Sequence, residues 1–188
     1  MEKKTRIINF DINELLKRSA KSDRMAGFIM PENIKFDNDE AKASISFEGN
    51  NIYFALAYIE STKIKTEGGN SYDDLIADIW KNSMLDEAYN ILHEKIEGDI
   101  DAKGMYLSPL LGPGYYEMPI SYAYFVCEKA SAESIGITCS ERGSMNPAFS
   151  RCGFFAVSSE PDDRRLLACK SCKGNRKGCS MCTLFTVI

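Results

Sequence analysis

The apolar positions along this chain change their period several times, and each change marks an element. From Ala41 to Phe47 they alternate, with Ala43, Ile45 and Phe47 on one side and Lys42, Ser44 and Ser46 on the other. That pattern predicts a half-buried strand. After a Gly49-Asn50-Asn51 turn, Ile52 to Ile59 is apolar throughout. Such a run suits a central strand covered on both faces and paired with its predecessor as a hairpin, although periodicity alone leaves a helix open. Then the period lengthens. Ile76, Trp80, Met84, Ala88, Leu92 and Ile96 form one continuous stripe, flanked by Ile79 and Ile91. The stripe predicts a long amphipathic helix, opened by the capping-box spacing of Ser71 and Asp74 and stopped at Gly98.

The shorter elements follow from the same reasoning. Ile7 to Phe10 reads as a strand. Asp11 then caps a helix with Glu14 at capping-box spacing, and Ile12, Leu15, Leu16 and Ala20 form its apolar face. Met30-Pro31 breaks the chain, and Phe36 to Glu40 reads as a solvated acidic turn. Gly104 to Leu107 is a predicted strand that feeds a Gly112-Pro113-Gly114 turn. A helix from Ile120 to Ala130 leaves the turn, with Pro119 at its start. Gly136 to Cys139 and Gly153 to Val157 read as two further strands, paired with each other across a loop from Ser140 to Met145. The expected fold class is α+β, a twisted, mainly antiparallel sheet with flanking helices. The expected division is an α+β domain over 1–163 and a cysteine-rich tail over 164–188.

Composition narrows the function classes. The net charge of -4 and pI near 5.2 argue against general nucleic-acid binding, which needs a basic footprint. No apolar signal region follows the basic first residues, and no run approaches a membrane span, so the expectation is a cytoplasmic protein with no membrane partner. In a reducing compartment its seven cysteines are thiols or metal ligands rather than a disulfide framework. One histidine, His93, leaves no Ser/His/Asp set to build, and no Walker-type phosphate loop is present. No catalytic residue is therefore assigned.

Two stretches carry chemistry. The first is the turn. Glycine allows positive φ and proline removes a donor, so the chain bends sharply at Gly112-Pro113-Gly114 and Tyr115, Tyr116 and Glu117 leave the bend together. Aromatic faces, a carboxylate and exposed main chain suit a flat ligand with polar edges, although a turn that merely packs two tyrosines has the same composition. The second is the tail, where Cys169-x-x-Cys172 and Cys179-x-x-Cys182 bring four thiolates within reach of one centre. Lys170, Lys173, Arg176 and Lys177 offset their charge. Structural zinc, an iron-sulfur cluster and unligated thiols or disulfides all fit this spacing. Cys127, Cys139 and Cys152 read as small buried thiols.

The run Pro113-Gly114-Tyr115, then Pro119, Ile135-Gly136-Ile137, Met145-x-Pro147 and Ser150-x-x-Gly153 resembles the activation domain of cobalamin-dependent methionine synthase. It is most similar to the small stand-alone relatives of that domain in anaerobes. The likeness spans Gly112 to Phe155, about a quarter of the chain. It implies a protein that binds S-adenosylmethionine and presents it to a cobalamin held by a partner, so that an oxidised cobalt is reduced and methylated back into service. The implied partners are a corrinoid protein or corrinoid methyltransferase, with a flavodoxin or ferredoxin as electron source. By position Tyr115 matches the tyrosine of the family's motif, and Phe154 or Phe155 its second aromatic. The groups that such a ligand's positive centres and adenine call for are supplied by the candidates Gly112, Pro113, Gly114, Tyr116, Glu117 and Glu141. At Cys169, Cys172, Cys179 and Cys182 the symmetric knuckles support zinc, while the resemblance supports a cluster, because such chemistry needs a low-potential electron. Where the family has an arginine three residues before the motif's proline, this chain has Leu110. The charge-assisted contact to the ligand carboxylate is thereby lost. A non-catalytic docking or electron-relay module and an unrelated thiol or zinc regulator are the competing readings.

Overall fold

A computed structural model describes residues 4–22, 25–32, 34–60, 71–115 and 118–160, with Ser71 as backbone only. Its strands are β1 (Lys4–Phe10), β2 (Glu40–Glu48), β3 (Asn51–Ile59), β4 (Tyr106–Leu107), β5 (Thr138–Cys139), β6 (Met145–Asn146) and β7 (Ser150–Ser158). The helices are α1 (Ile12–Ser19), α2 (Ser71–Asp101) and α3 (Tyr122–Lys129), followed by a 3-10 turn at Ala132–Ile135. Five strands form one sheet in the order β1-β2-β3-β7-β4, antiparallel at every pairing. The architecture is thus α+β.

β3 is the hub, and its sequence explains why. Ile52, Phe54, Leu56 and Tyr58 pack on the α2 side, while Tyr53, Ala55 and Ala57 face α3 and the 3-10 turn. A period of two inside an unbroken apolar run is what burial on both faces requires. The two alanines are small, which lets the short α3 lie close to the sheet. On the other face the stripe of α2 is buried from Ile76 to Ile96, with Leu85 and Ile100 added to it. Each fully buried side chain, such as Leu92 at 0% exposure, contributes roughly 1.5–3 kcal/mol relative to an exposed one.

Asp11 caps α1 as expected, its carboxylate accepting from the Asn13 N–H at 2.9 Å, while Glu14 of the expected capping box pairs with Arg18 at 3.6 Å. Ser19, not Ala20, takes the buried place at its end. Arg18 then ties α1 to α2 through both oxygens of Glu94, at 3.3 and 3.2 Å.

Four expectations need correction. α2 does not stop at Gly98 but runs to Asp101. A helical glycine costs only about 1 kcal/mol, and Ile96 and Ile100 on either side bury themselves in the core. β2 is not half-buried: Ser44 and Ser46 are both at 0% exposure. The Ser44 hydroxyl donates to the Ala130 carbonyl at 2.5 Å, and the Ser46 hydroxyl stands 3.0 Å from that of Thr5. Small, hydrogen-bonded serines can be covered where longer polar chains cannot. The acidic turn is not simply solvated either. Phe36 is buried, and Asp39 accepts from the Tyr58 hydroxyl at 2.6 Å. Finally, the last two predicted strands do not pair with each other. β5 pairs with β6 in a small hairpin, and β7 inserts between β3 and β4.

Among the described residues, no helix is long and apolar enough to cross a membrane. The tail over 164–188 lies outside the described residues.

Candidate functional site

The predicted turn grows directly out of the sheet. β4 pairs with the end of β7, and Ser108 continues the ladder through its N–H to the Ala156 carbonyl at 2.8 Å. Leu111 and Phe154 then exchange both backbone hydrogen bonds, at 3.0 and 2.8 Å. This places Gly112 on the surface of β7, where a Cβ would stand 3.1 Å from the Gly153 Cα. A Cβ on Gly153 would in turn meet Leu110 Cδ1 at 2.6 Å and the Leu111 carbonyl oxygen at 3.0 Å. The two glycines let backbone lie against backbone, and a Cβ at either position would force Leu110 to turn aside or the two backbones to part by a few tenths of an ångström.

Beyond Gly112 the loop closes on itself. The Tyr115 N–H donates to the Gly112 carbonyl at 3.0 Å, and Met118 N–H to the Tyr115 carbonyl at 2.9 Å. The Gly114 N–H reaches back to the Met118 carbonyl at 3.0 Å, with Gly114 at a φ of 82°. Three amides of the bend are therefore already engaged. Its carbonyls keep acceptor capacity, because each carries two lone pairs. Acceptors suit an exocyclic amine or a positively charged centre better than an anion. Gly114 is exposed, Pro113 and Tyr115 are half-buried, and Gly112 is buried. Tyr116 and Glu117 lie outside the described residues.

Glu141 sits exposed on the loop between β5 and β6. That loop is pinned to the start of α3 by Gly143. A Cβ there would stand 2.2 Å from the Ile120 carbonyl oxygen, and the residue has a φ of 88°. The loop of Glu141 and the exit of the turn at Pro119-Ile120 are thus neighbours. Ile120, Tyr122 and Tyr124 form an exposed apolar skirt beside them, at 66%, 42% and 47% exposure.

The candidate aromatics of β7 separate by face. Phe155 is at 0% exposure, stacked on Phe54 at 5.3 Å between centroids and edge-on to His93 at 5.4 Å. It belongs to the core. Phe154 points the other way, against Tyr53 at 5.5 Å, and is the partner of Leu111 beside the turn. Leu110 is packed among the core residues, so its position supplies an apolar contact rather than a charge. His93, besides touching Tyr89 and Phe155, has its Nδ1 3.6 Å from Glu97. A carboxylate one turn along the helix escaped the sequence reading of that histidine.

Sequence reasoning also missed a convergence of thiols. Cys127 of α3, Cys139 of β5 and Cys152 of β7 come from three elements and meet under α3. Cys139 and Cys152 each lie close enough to Cys127 to interact with it, while their own thiols donate to the Ser140 carbonyl at 3.5 Å and the Ala123 carbonyl at 4.0 Å. Expected singly as three small buried thiols, they gave no signal; only Cys127 is buried, Cys139 and Cys152 being half-buried, and the packing of α3 against β5 and β7 joins them. A cavity of about 320 Å³ opens beside them, lined by Cys127, Cys139, Tyr124, Glu128, Glu133 and Ser134 among others. Gly112–Tyr115 and Glu141 do not line it. Among the described residues, no group of three or more His, Cys, Asp or Glu is disposed to hold a metal ion. Cys169, Cys172, Cys179 and Cys182 lie outside the described residues. Compared with models of known protein families the chain matches none, and no curated protein matches it either.

Proposed function

We propose that this chain is an accessory protein for the reductive reactivation of a corrinoid-dependent methyltransferase, built in the manner of a methionine synthase activation domain. It docks on the corrinoid protein and offers S-adenosylmethionine from the bend at Gly112 to Glu117. The methyl donor and the partner's cobalamin carry the reactivity, with a flavodoxin or ferredoxin as electron donor. This chain's own part is position: carbonyls of the bend and Glu141 toward positive charge, Tyr115 and Phe154 as aromatic faces. One observation supports the reading above the others. Gly112 and Gly153, which open and nearly close the resembling block, lie backbone against backbone, so the block acts as one spatial unit.

The test is calorimetric titration of the full chain with S-adenosylmethionine. Saturable heat is expected, and Tyr115→Ala should weaken binding about tenfold, since an aromatic contact with a cation or adenine ring is worth about 1–1.5 kcal/mol. A second reading, a docking or electron-relay module without its own ligand, is favoured by one finding: Leu110 is packed inward and brings no charge. It wins if titration to millimolar ligand gives no heat while the chain still captures a corrinoid protein.

The tail completes the proposal as a four-cysteine metal centre, zinc or iron-sulfur. The chain purified without oxygen should carry one such centre. Brown colour with iron and sulfide identifies a cluster, and a colourless protein with one zinc identifies the structural ion. Changing Cys169, Cys172, Cys179 and Cys182 to serine should abolish either. Neither iron nor zinc in stoichiometric amount would dismiss the tail as a metal site.

A further inference from the structure

We propose that Cys139 and Cys127 form a dithiol–disulfide pair at the floor of the α3 cavity, oxidised by a small cationic disulfide, with Cys152 as the third, exchanging thiol. The argument begins with access. Cys139 is partly exposed and lines the cavity, whereas Cys127 is only 5% exposed. An incoming disulfide therefore meets Cys139 first. The cavity, at about 320 Å³, is at the lower end of the range for small-molecule sites. Its acidic lining groups are Glu128 of α3 and Glu133 of the 3-10 turn, and Tyr124 is its phenol. Two carboxylates at the mouth favour a cationic reagent and repel an anionic one.

The steps balance as ordinary exchange. The Cys139 thiolate attacks one sulfur of the reagent, and a Cys139 mixed disulfide forms as the first reagent thiol leaves and takes up a proton. Cys127, which lines the same cavity and packs in the same cluster, then attacks the Cys139 sulfur. The Cys127–Cys139 bond forms, the second reagent thiol leaves, and two protein thiols have been oxidised as one reagent disulfide is reduced. Cys152, packed in the same cluster beneath α3, can attack the Cys127 sulfur, displace Cys139 and move the bond to Cys127–Cys152. All three are free thiols in the structure, the reduced end of this cycle.

The surroundings set the tempo. Burial, then the charge and hydrogen bond of Cys127, push the Cys139 thiol up to about 11. The hydrogen bond to Cys152, followed by burial, raises Cys127 further. Near pH 7 this leaves on the order of one Cys139 in ten thousand as thiolate, the form that attacks. Once formed, the bond would tie α3, which leaves the turn, to the β5–β6 hairpin that carries Glu141.

The test uses the reduced full chain, treated with cystamine, blocked with a maleimide and mapped by non-reducing digestion and mass spectrometry. The expected product is a Cys127–Cys139 cross-link, with a minor Cys127–Cys152 form. Cys139→Ser should slow oxidation of Cys127 at least tenfold, and Cys127→Ser should leave Cys139 as a stable mixed disulfide with cysteamine. The rate should climb about tenfold per pH unit from 7 to 10, whereas an ordinary thiol levels off near 8.5. Cystamine should outpace oxidised glutathione severalfold at low salt, and the gap should close as salt screens the carboxylates. If all three thiols stay alkylatable at saturating cystamine, or if Cys139 of the unmodified chain halts as a mixed disulfide, the proposal is overturned. Circular dichroism checks each variant's fold, and should Cys127→Ser not fold, the map of the unmodified chain and Cys139→Ser decide. None of these readouts depends on S-adenosylmethionine or the tail.

Discussion

Replacing Phe155 with alanine is expected to remove about 3–5 kcal/mol of stability, the usual cost of emptying a buried aromatic site. The reason lies in how many neighbours depend on it. Phe155 stacks on Phe54 and meets Tyr89 and His93 of α2, with centroids between 5.3 and 6.3 Å. It is the aromatic through which β7 packs on the long helix, beside the ion pair of Arg151 with Asp86. β3 and β4 cannot collapse into the gap, because their positions are fixed by ladders on both sides of β7. Urea unfolding should show a lower midpoint with an unchanged slope. A loss under 1 kcal/mol would mean that this aromatic cluster is loosely packed. Phe154→Ala makes the informative contrast: half-buried on the other face, it should cost less stability and more of any ligand binding.

The second large effect is expected at Gly143. Alanine there must adopt a left-handed backbone, costing about 1–2 kcal/mol, and its Cβ would run into the Ile120 carbonyl at 2.2 Å. Relief requires the β5–β6 loop to lift from the start of α3, at a further 1–3 kcal/mol or so. For a chain of 188 residues the sum corresponds to a drop in thermal midpoint of roughly 5–15 °C. Differential scanning calorimetry reads this directly. Because Ile120 follows the exit of the turn, the same variant should impair whatever binds at Tyr115 and Glu141. A thermal midpoint within a degree or two of the unmodified chain would show that the loop lifts away at little cost.

Much of the fold was legible in the pattern of side chains. The unbroken run of β3, the stripe of α2 and the Asp11 cap each state a local physical requirement that tertiary structure did not override. What was not legible is partnership. β5 and β7 were both readable as strands, yet which strand each would meet depends on loop geometry and on free edges elsewhere in the sheet. β5 took the nearest partner across a glycine turn, and the longer β7 found β3 and β4. The burial of Ser44 and Ser46 was hidden because a polar residue in an alternating strand normally marks solvent; here it marks a carbonyl and a hydroxyl waiting opposite. Of the candidate site, the bend and its glycines were readable. The closure of the bend by its own amides was not, nor was the meeting of Cys127, Cys139 and Cys152, since both arise from contacts between distant segments.

The sheet order carries a consequence for how the chain is made. β3 is complete at Ile59, but the strand that covers its open edge begins only at Ser150, roughly ninety residues later. At ordinary ribosomal speeds of about 5–20 residues per second, that edge waits on the order of 5–20 s for its cover. A nascent chain with an apolar, unpaired β3 edge is a target for chaperones and for its own copies, so yield in a foreign host should depend on temperature and on the rate of synthesis through α2 and α3.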